Sequence, residues 1–157
     1  MNDSVNCPIC WMKCDDARQV GTKDMTEYDC PRCGYYSIAR EAKINLESAG
    51  MSKQDRAKVA AYLRERSLRG DSRIRILSQQ FPDRGFDTPV VTADEIIKDR
   101  FPRTVSERLD RALKNIHRLS EHLGDGIWLD PEVDGPVLFA EHKDAFNFIA
   151  VTLQELA

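Results

Sequence analysis

The cysteines are the residues whose spacing most clearly specifies chemistry in this sequence. Cys7 and Cys10 form one Cys-x2-Cys pair, and Cys30 and Cys33 form a second pair after 19 intervening residues. Two residues between paired thiolates let both sulfurs approach one ion, and four thiolates complete the tetrahedron that zinc prefers. We therefore predict one structural Zn2+ ion bound by these four side chains in an N-terminal zinc ribbon. Such a closed ligand set leaves no position for water or substrate.

The fifth cysteine, Cys14, leaves the ligand set open. It follows Cys10 after three residues, a spacing that also permits ligation, so Cys14 could substitute for Cys10 or remain a free thiol. The spacing from Cys7 through Cys14 is also similar to some iron–sulfur patterns. Pro after the first cysteine of each pair, and Gly34 after the last cysteine, favour plain zinc knuckles. Clustered cysteines in a reducing compartment are more often metal ligands than disulfides.

Aromatic residues surround the two cysteine pairs. Trp11, Tyr28, Tyr35 and Tyr36 could form a stacking surface for bases or a partner peptide. They could instead provide the apolar cover that so small a metal module needs, which is the interpretation we favour. Tyr35 and Tyr36 remain candidate binding residues.

Charge is distributed unevenly along the 157 residues, whose net charge is −3. Residues 53–84 contain 9 basic and 4 acidic side chains, so an anionic partner should meet this segment. The candidate phosphate contacts are Arg64, Arg66, Arg69, Arg73 and Arg75. The alternative is a solvated helix face, because Arg64, Arg66 and Arg69 do not fall on one narrow stripe.

Motifs for catalysis are missing from the sequence. His117 and His122 are five residues apart, no His-Glu-x-x-His arrangement occurs, and neither a nucleophile elbow nor a phosphate-binding loop is present. We predict no catalytic residues and no enzyme activity. No run of 18 apolar residues and no signal peptide occur, so we expect a cytoplasmic protein without a membrane partner.

Local patterns predict the elements that follow the ribbon. Residues 35–38 should form a strand and residues 39–46 a short helix. Ser52 is the predicted N-cap of a helix to about Leu68, ended by Gly70. The residues expected on its buried face are Val59, Ala60, Tyr62 and Leu63. Residues 73–76 alternate polar and apolar, which suits either a short strand or a helical turn.

The C-terminal part carries two capping boxes, Thr92 with Glu95 and Thr104 with Glu107. The second should open a long helix to about Leu123. Its predicted buried stripe is Val105, Leu109, Ala112, Leu113, Ile116, Leu119 and Leu123. Two short strands are predicted at residues 127–129 and 137–139, followed by an amphipathic helix over residues 143–156.

These elements predict an α+β, mostly helical protein. Its expected parts are a zinc ribbon over residues 1–38, a basic helical connector over 39–88, and a helical domain with a small hairpin over 89–157. The last part resembles a winged-helix module in outline. Because that part is acidic overall, we expect it to contact proteins rather than DNA.

The run from Tyr28 to Ile38, followed by Leu46, Arg56 and the Tyr62-Leu63-Arg64-Glu65 segment, resembles the N-terminal region of bacterial zinc-ribbon proteins of antiphage defence and mobile islands. In that group a C-terminal effector domain, such as a TIR domain, often follows. The resemblance implies a recognition or regulatory module and transfers no catalytic residues. The last predicted helix ends at Ala157 without a cap, which fits a chain cut from a longer one or a helix packed against its own domain.

The sequence thus predicts a non-catalytic zinc-binding module that mediates protein–protein interaction or sensing in a bacterial defence-type system. Its partner would be a protein or an appended effector domain, and homo-oligomerisation is left open. The alternative is a nucleic-acid-binding regulator that uses the zinc ribbon and the basic helix together.

Overall fold

A computed structural model describes residues 5–21, 24–48, 50–80, 88–120, 122 and 126–139. Within them, five strands form one sheet in sequential order. The strands are β1 (Asp16–Val20), β2 (Met25–Cys30), β3 (Gly34–Ala39), β4 (Arg75–Leu77) and β5 (Val90–Thr92). The helices are α1 (Arg40–Ser48), α2 (Lys53–Leu68), α3 (Ala93–Glu95), α4 (Val105–Leu119) and α5 (Pro131–Asp134). The predicted α+β class is confirmed.

The first three strands form an antiparallel ribbon that carries the cysteines at one end. Tyr28 on β2 pairs with Tyr36 on β3, and their rings stack with centroids 5.5 Å apart. Both tyrosines are fully buried. Aromatic cross-strand pairs of this kind stabilise a ribbon and fix its register. The strand predicted at residues 35–38 is therefore confirmed as part of β3.

Two parallel strands extend this ribbon. The chain leaves β3, passes through α1 and α2, and returns as β4, which lies parallel to β3. β5 then adds in parallel to β4. The register places Ile38, Ile76 and Val91 side by side, and all three are buried. This row of branched side chains forms the core beneath the helices. Of the two interpretations of residues 73–76, the strand is correct.

Helix α2 lies at the centre of the molecule. The Ser52 hydroxyl accepts a hydrogen bond from Asp55 N at 3.0 Å, and Gly70 ends the helix with a φ of +71°. Val59 and Leu63 pack in the core against the sheet, whereas Ala61 packs in a second apolar cluster on the far side. Each fully buried Val or Leu contributes about 1.5–3 kcal/mol. The predicted caps and inward positions of α2 are confirmed.

Helix α4 begins where the capping box places it, because Thr104 Oγ1 accepts from Glu107 N at 3.1 Å. It ends at Leu119 rather than near Leu123, with Ser120 as its extended C-cap. The predicted buried stripe is only partly correct. Val105 is 73% exposed and Leu113 is 51% exposed.

Asn115 explains the orientation of α4. It is fully buried, donates from Nδ2 to Val137 O at 3.0 Å, and accepts from Arg118 at 2.9 Å. A buried amide needs such partners. Asn115 and Ala112 therefore face the second cluster, and Leu113, about 100° from Ala112 around the helix, is turned towards solvent. Val105 lies on the same side as Ala112 and is exposed because it is the first residue of the helix.

The hairpin predicted at residues 127–129 and 137–139 is wrong. Residues 126–130 form no regular element, and Gly135–Leu138 is a 3-10 helix that follows α5. Asp130 caps α5 by accepting from Glu132 N at 2.9 Å. Pro131 and Pro136 lack the amide hydrogen that a strand ladder requires, and both suit the first positions of helices. Without this hairpin the winged-helix outline is not confirmed.

The predicted helix over residues 143–156 lies outside the described residues. Within the described part of the chain, no helix combines the length and the apolar character needed to cross a membrane.

Gly34 gives a test of how closely α2 packs on the ribbon. Its φ is +79°, and a Cβ at this position would lie 2.5 Å from Ser67 Cβ on α2. We expect Gly34→Ala to lower the free energy of unfolding by about 2–4 kcal/mol, because it adds a clash to an unfavourable backbone conformation. Urea denaturation with zinc present measures the change.

Gly70→Ala is the matched control. Gly70 has a similar φ of +71° but no atom within 4 Å of an added Cβ, so only the backbone penalty of about 1 kcal/mol should remain. Equal losses for the two variants would show that α2 does not pack against the ribbon at Gly34.

Candidate metal centre

Four sulfur atoms converge at one end of the ribbon. Cys7 and Cys10 lie in the loop before β1, and Cys30 and Cys33 lie at the turn between β2 and β3. Their Sγ atoms all lie within 4.8 Å of one another and could hold a metal ion. None of the cysteines forms a disulfide.

The sulfur spacing fits a tetrahedral ion. Cys7 Sγ lies 3.8 Å from Cys33 Sγ, and Cys10 Sγ lies 3.5 Å from Cys30 Sγ. A tetrahedron with Zn–S bonds of about 2.3 Å has edges of about 3.8 Å. An all-thiolate ligand set also suits zinc and iron better than harder cations. A bound ion would hold the two knuckles together and leave no open coordination position.

Two hydrogen bonds orient the sulfur ligands. The backbone amide of Cys33 donates to Cys30 Sγ at 3.4 Å, which closes the second knuckle. The Tyr36 hydroxyl lies 3.0 Å from Cys7 Sγ. Burial raises the pKa of Tyr36 well above its usual value, and the negative charge of Cys7 adds to this effect. The hydroxyl therefore remains protonated and donates to the Cys7 thiolate, as an outer-shell partner of a metal ligand does.

Burial also makes the sulfur cluster depend on a cation. Desolvation is the main reason why the pKa of the Cys33 thiol is raised well above its ordinary value. Four thiolates at these distances repel one another unless a shared cation compensates their charge.

Cys14 lies beside the cluster but is not one of its four members. It is buried, and interaction with Cys7 is the main cause of a raised pKa for the Cys14 thiol. Its position outside the four converging sulfur atoms makes Cys14 a neighbour of the ligand Cys7. This placement favours the four-cysteine ligand set over the substitution of Cys14 for Cys10.

Arginine side chains anchor both knuckles to the rest of the protein. Arg56 on α2 donates to Pro8 O at 2.6 Å and to Leu46 O at 2.8 Å. Arg32, inside the second knuckle, donates to the carbonyl oxygen of Glu132 in α5. Both guanidinium groups are buried, and burial lowers the pKa of Arg56. Carbonyl oxygens of the first knuckle, α1 and α5 thus accept hydrogen bonds from these guanidinium groups rather than from water.

The residue after each knuckle has a positive φ. Gly34 follows Cys33 with a φ of +79°, and Trp11 follows Cys10 with a φ of +61°. Glycine adopts this conformation freely, whereas a bulky residue loses about 1–2 kcal/mol. Trp11 is nevertheless 56% exposed and stacks on Arg56, whose guanidinium lies 4.3 Å from the ring centroid. The strain and exposure of Trp11 single it out beside the metal centre.

The three predicted phosphate contacts on and after α2 are engaged within the protein. Arg64 pairs with Asp134 at 3.2 Å. Arg66 and Arg69 both pair with Asp71, at 3.5 and 2.6 Å. The structure does not bring these three arginines together as one exposed surface.

The remaining predicted binding residues lie on the sheet. Arg73 pairs with the buried Glu27 and stacks 4.1 Å from the Tyr35 ring centroid. The Tyr35 hydroxyl donates to Glu27 at 2.9 Å. Arg75 is half-buried and also has a partner. Tyr36 is fully buried at the metal centre, so it cannot stack on an external base.

No protein family, curated protein or solved structure matches the chain.

The sequence did not single out Arg32, Lys53 and Arg56 as a group, although the structure brings them together around Trp11. Arg56 and Lys53 belong to the basic segment, but nothing in their spacing distinguishes them from its other basic residues. The structure shows that one face of α2 lies beside a knuckle. The residues on this face are Lys53, Arg56, Ala57 and Ala60, which follow helical spacing.

Metal content tests the ligand set. We expect one zinc per chain in the wild type, loss of the metal in Cys30→Ser, and full retention in Cys14→Ser. A removed ligand opens the tetrahedron, whereas Cys14 only adjoins it. Mass spectrometry under native conditions counts the ions. Zinc loss in Cys14→Ser would contradict the assignment. A visible absorption band typical of iron–sulfur proteins would show that the site binds an iron–sulfur cluster instead of zinc.

Tyr36→Phe tests the outer shell of the site. Removing the hydroxyl takes away the donor to Cys7 Sγ and should weaken zinc affinity about 10–100-fold. Competition with a chromophoric chelator measures the affinity. Tyr35→Phe is the control, because its hydroxyl contacts Glu27 and Arg18 rather than sulfur. Equal zinc affinities for the wild type, Tyr36→Phe and Tyr35→Phe would show that the Tyr36 hydroxyl does not support zinc binding.

Proposed function

We propose that this protein is a non-catalytic recognition module whose zinc-stabilised scaffold presents exposed apolar side chains to a partner protein. Trp128 carries the proposal, because 94% of its side chain is exposed. Its neighbours Ile127 and Leu129 are half-buried, and Leu129 packs on the second apolar cluster. The segment is thereby held with the indole outward. Exposed tryptophan is costly in a free protein and is enriched among residues that dominate binding energy.

Two exposed residues of α4 support the same interpretation. Val105 and Leu113 are eight positions apart, about 80° around the helix axis, and both are exposed. The burial of Ala112 and Asn115 turns Leu113 outward, whereas Val105 is exposed in the first turn of the helix. Exposed apolar side chains of this kind have the composition of a protein-interface core.

The closed ligand set supports a scaffolding role for the metal. Four thiolates give zinc no position for water, so the ion contributes to folding rather than to hydrolysis. We place the module in a bacterial defence-type system, in the cytoplasm, with an appended effector domain or a separate protein as its partner. We propose this setting because the run from Tyr28 to Ile38 resembles bacterial zinc-ribbon proteins of antiphage defence.

The alternative function is nucleic-acid binding by the ribbon and the basic helix. The internal pairing of Arg64, Arg66, Arg69 and Arg73 favours the protein partner, because paired arginines release fewer counterions from phosphate. Anisotropy titrations with labelled duplex DNA and RNA at low salt test this alternative. A steep loss of affinity with added salt would support it.

Partner capture tests the main proposal. The wild type, Trp128→Ser and Ile44→Ser are immobilised, and the protein retained from the source cells is identified, purified and titrated. We expect Trp128→Ser to lower the affinity about 30-fold, as the loss of an interface tryptophan does. Ile44, which is 50% exposed on α1, is the matched apolar control and should bind as the wild type does. An affinity unchanged by Trp128→Ser would overturn the proposal.

A further inference from the structure

A cleft lies between the first knuckle and the N-terminal half of α2. It has a volume of about 520 Å³, including the part that opens to solvent. Its lining includes Trp11, Arg32, Lys53, Arg56, Ala57 and Ala60. We propose that this cleft binds the aromatic base and the phosphate of a nucleoside 5′-monophosphate, either as a free nucleotide or as the phosphorylated end of a nucleic-acid strand.

Basic side chains line the cleft beside Cys10. Its lining includes three basic side chains and no acidic one among the described residues. Arg32 is 97% buried and Arg56 is 94% buried, and both donate to backbone carbonyls rather than to carboxylates. Buried Arg56 Nε has no hydrogen-bond partner. Two of the three cations are thus already hydrogen-bonded within the protein, and Lys53 supplies the exposed charge of the cleft.

The helix adds to this potential. Lys53 is the first residue of α2, and Lys53, Arg56, Ala57 and Ala60 follow the spacing of one helix face. The positive end of the 16-residue helix therefore lies at the cleft, beside an exposed ammonium group. No carboxylate of the described residues forms an ion pair with Lys53. Several positive groups around one cleft suit a phosphate dianion better than a single carboxylate.

Trp11 supplies the aromatic wall. Its backbone has the strained φ of +61°, although glycine occupies the corresponding position after the second knuckle. The strain is retained at a residue whose ring is 56% exposed and makes few core contacts. One face of the ring lies on Arg56, so a flat base would stack on the other face, in the cleft that Ala57 and Ala60 also line.

Titration of one indole tests the site directly. Trp128→Phe leaves Trp11 as the only tryptophan, and its fluorescence is followed while AMP, GMP, CMP or UMP is added. At least one monophosphate should quench it with saturable affinity, whereas adenosine and inorganic phosphate should each bind at least about tenfold more weakly. Equal binding of phosphate alone, or no saturable binding of any monophosphate, would overturn the proposal.

Single substitutions in the otherwise wild-type chain test the contributions of the base and of the phosphate separately. Affinity is measured by calorimetric titration. Trp11→Gly removes the ring and suits the backbone, so the zinc content should be unchanged while affinity falls about tenfold or more. Lys53→Gln should cause a similar fall through the phosphate. Lys114→Gln on α4 makes the same charge change away from the cleft and should bind normally. Unchanged affinity in both Trp11→Gly and Lys53→Gln contradicts the assignment.

The source of the ligand is decided by a 5′-phosphorylated trinucleotide. Tighter binding than the mononucleotide, lost on removal of the 5′-phosphate, identifies a strand end, and equal or weaker binding identifies the free nucleotide. Both results support the site. This inference is independent of the proposed protein partner, because Trp128→Ser should leave nucleotide binding intact even if partner capture fails.

Discussion

Four sulfur atoms 3.5–4.8 Å apart are the constraint on which this structure depends. Negatively charged thiolates at such distances repel one another, and neutral thiols are weak hydrogen-bond donors that contribute little attraction. A shared cation makes the same arrangement favourable, and in small zinc modules its binding supplies on the order of 10 kcal/mol of folding free energy. The loop before β1 and the turn between β2 and β3 are held together by this centre. The Tyr28–Tyr36 pair and the sheet that follows are built directly against it.

Arginines transmit this constraint to the helices. Arg56 joins the first knuckle to both α1 and α2 through carbonyl oxygens, and Arg32 joins the second knuckle to α5. Glu65 extends the pattern on the other side of α2, where it pairs with Arg111 of α4. Buried guanidinium groups are tolerated because each one has several donors to distribute among fixed acceptors. A segment that is strongly basic in sequence therefore serves largely as internal cross-links.

Local chemistry made part of this structure predictable. The metal ligands followed from spacing, and the starts of α2 and α4 followed from Ser52 and Thr104, because ligation and capping depend on residues close in sequence. Strands β4 and β5 have only three residues each, so the alternation at β4 fitted a strand or a helical turn, and their pairing depends on the return of the chain after α2. The exposure of Leu113 was missed because the buried Asn115, which a hydrophobic pattern does not count, takes part in setting the orientation of α4. The positive φ of Trp11 leaves no signal in the sequence at all.

The central position of α2 has a consequence for how disturbances spread. One side of this helix belongs to the core that contains the cysteines, and Ala61 on the other side belongs to the cluster of Ala112 and Leu138. The two apolar clusters consequently share a single rigid element instead of meeting across a linker. Opening of the metal end exposes the buried face of α2 and removes the support of the far cluster in the same event. Amide hydrogens around Asn115 and Leu138 should then exchange in one cooperative unit with those of the knuckles.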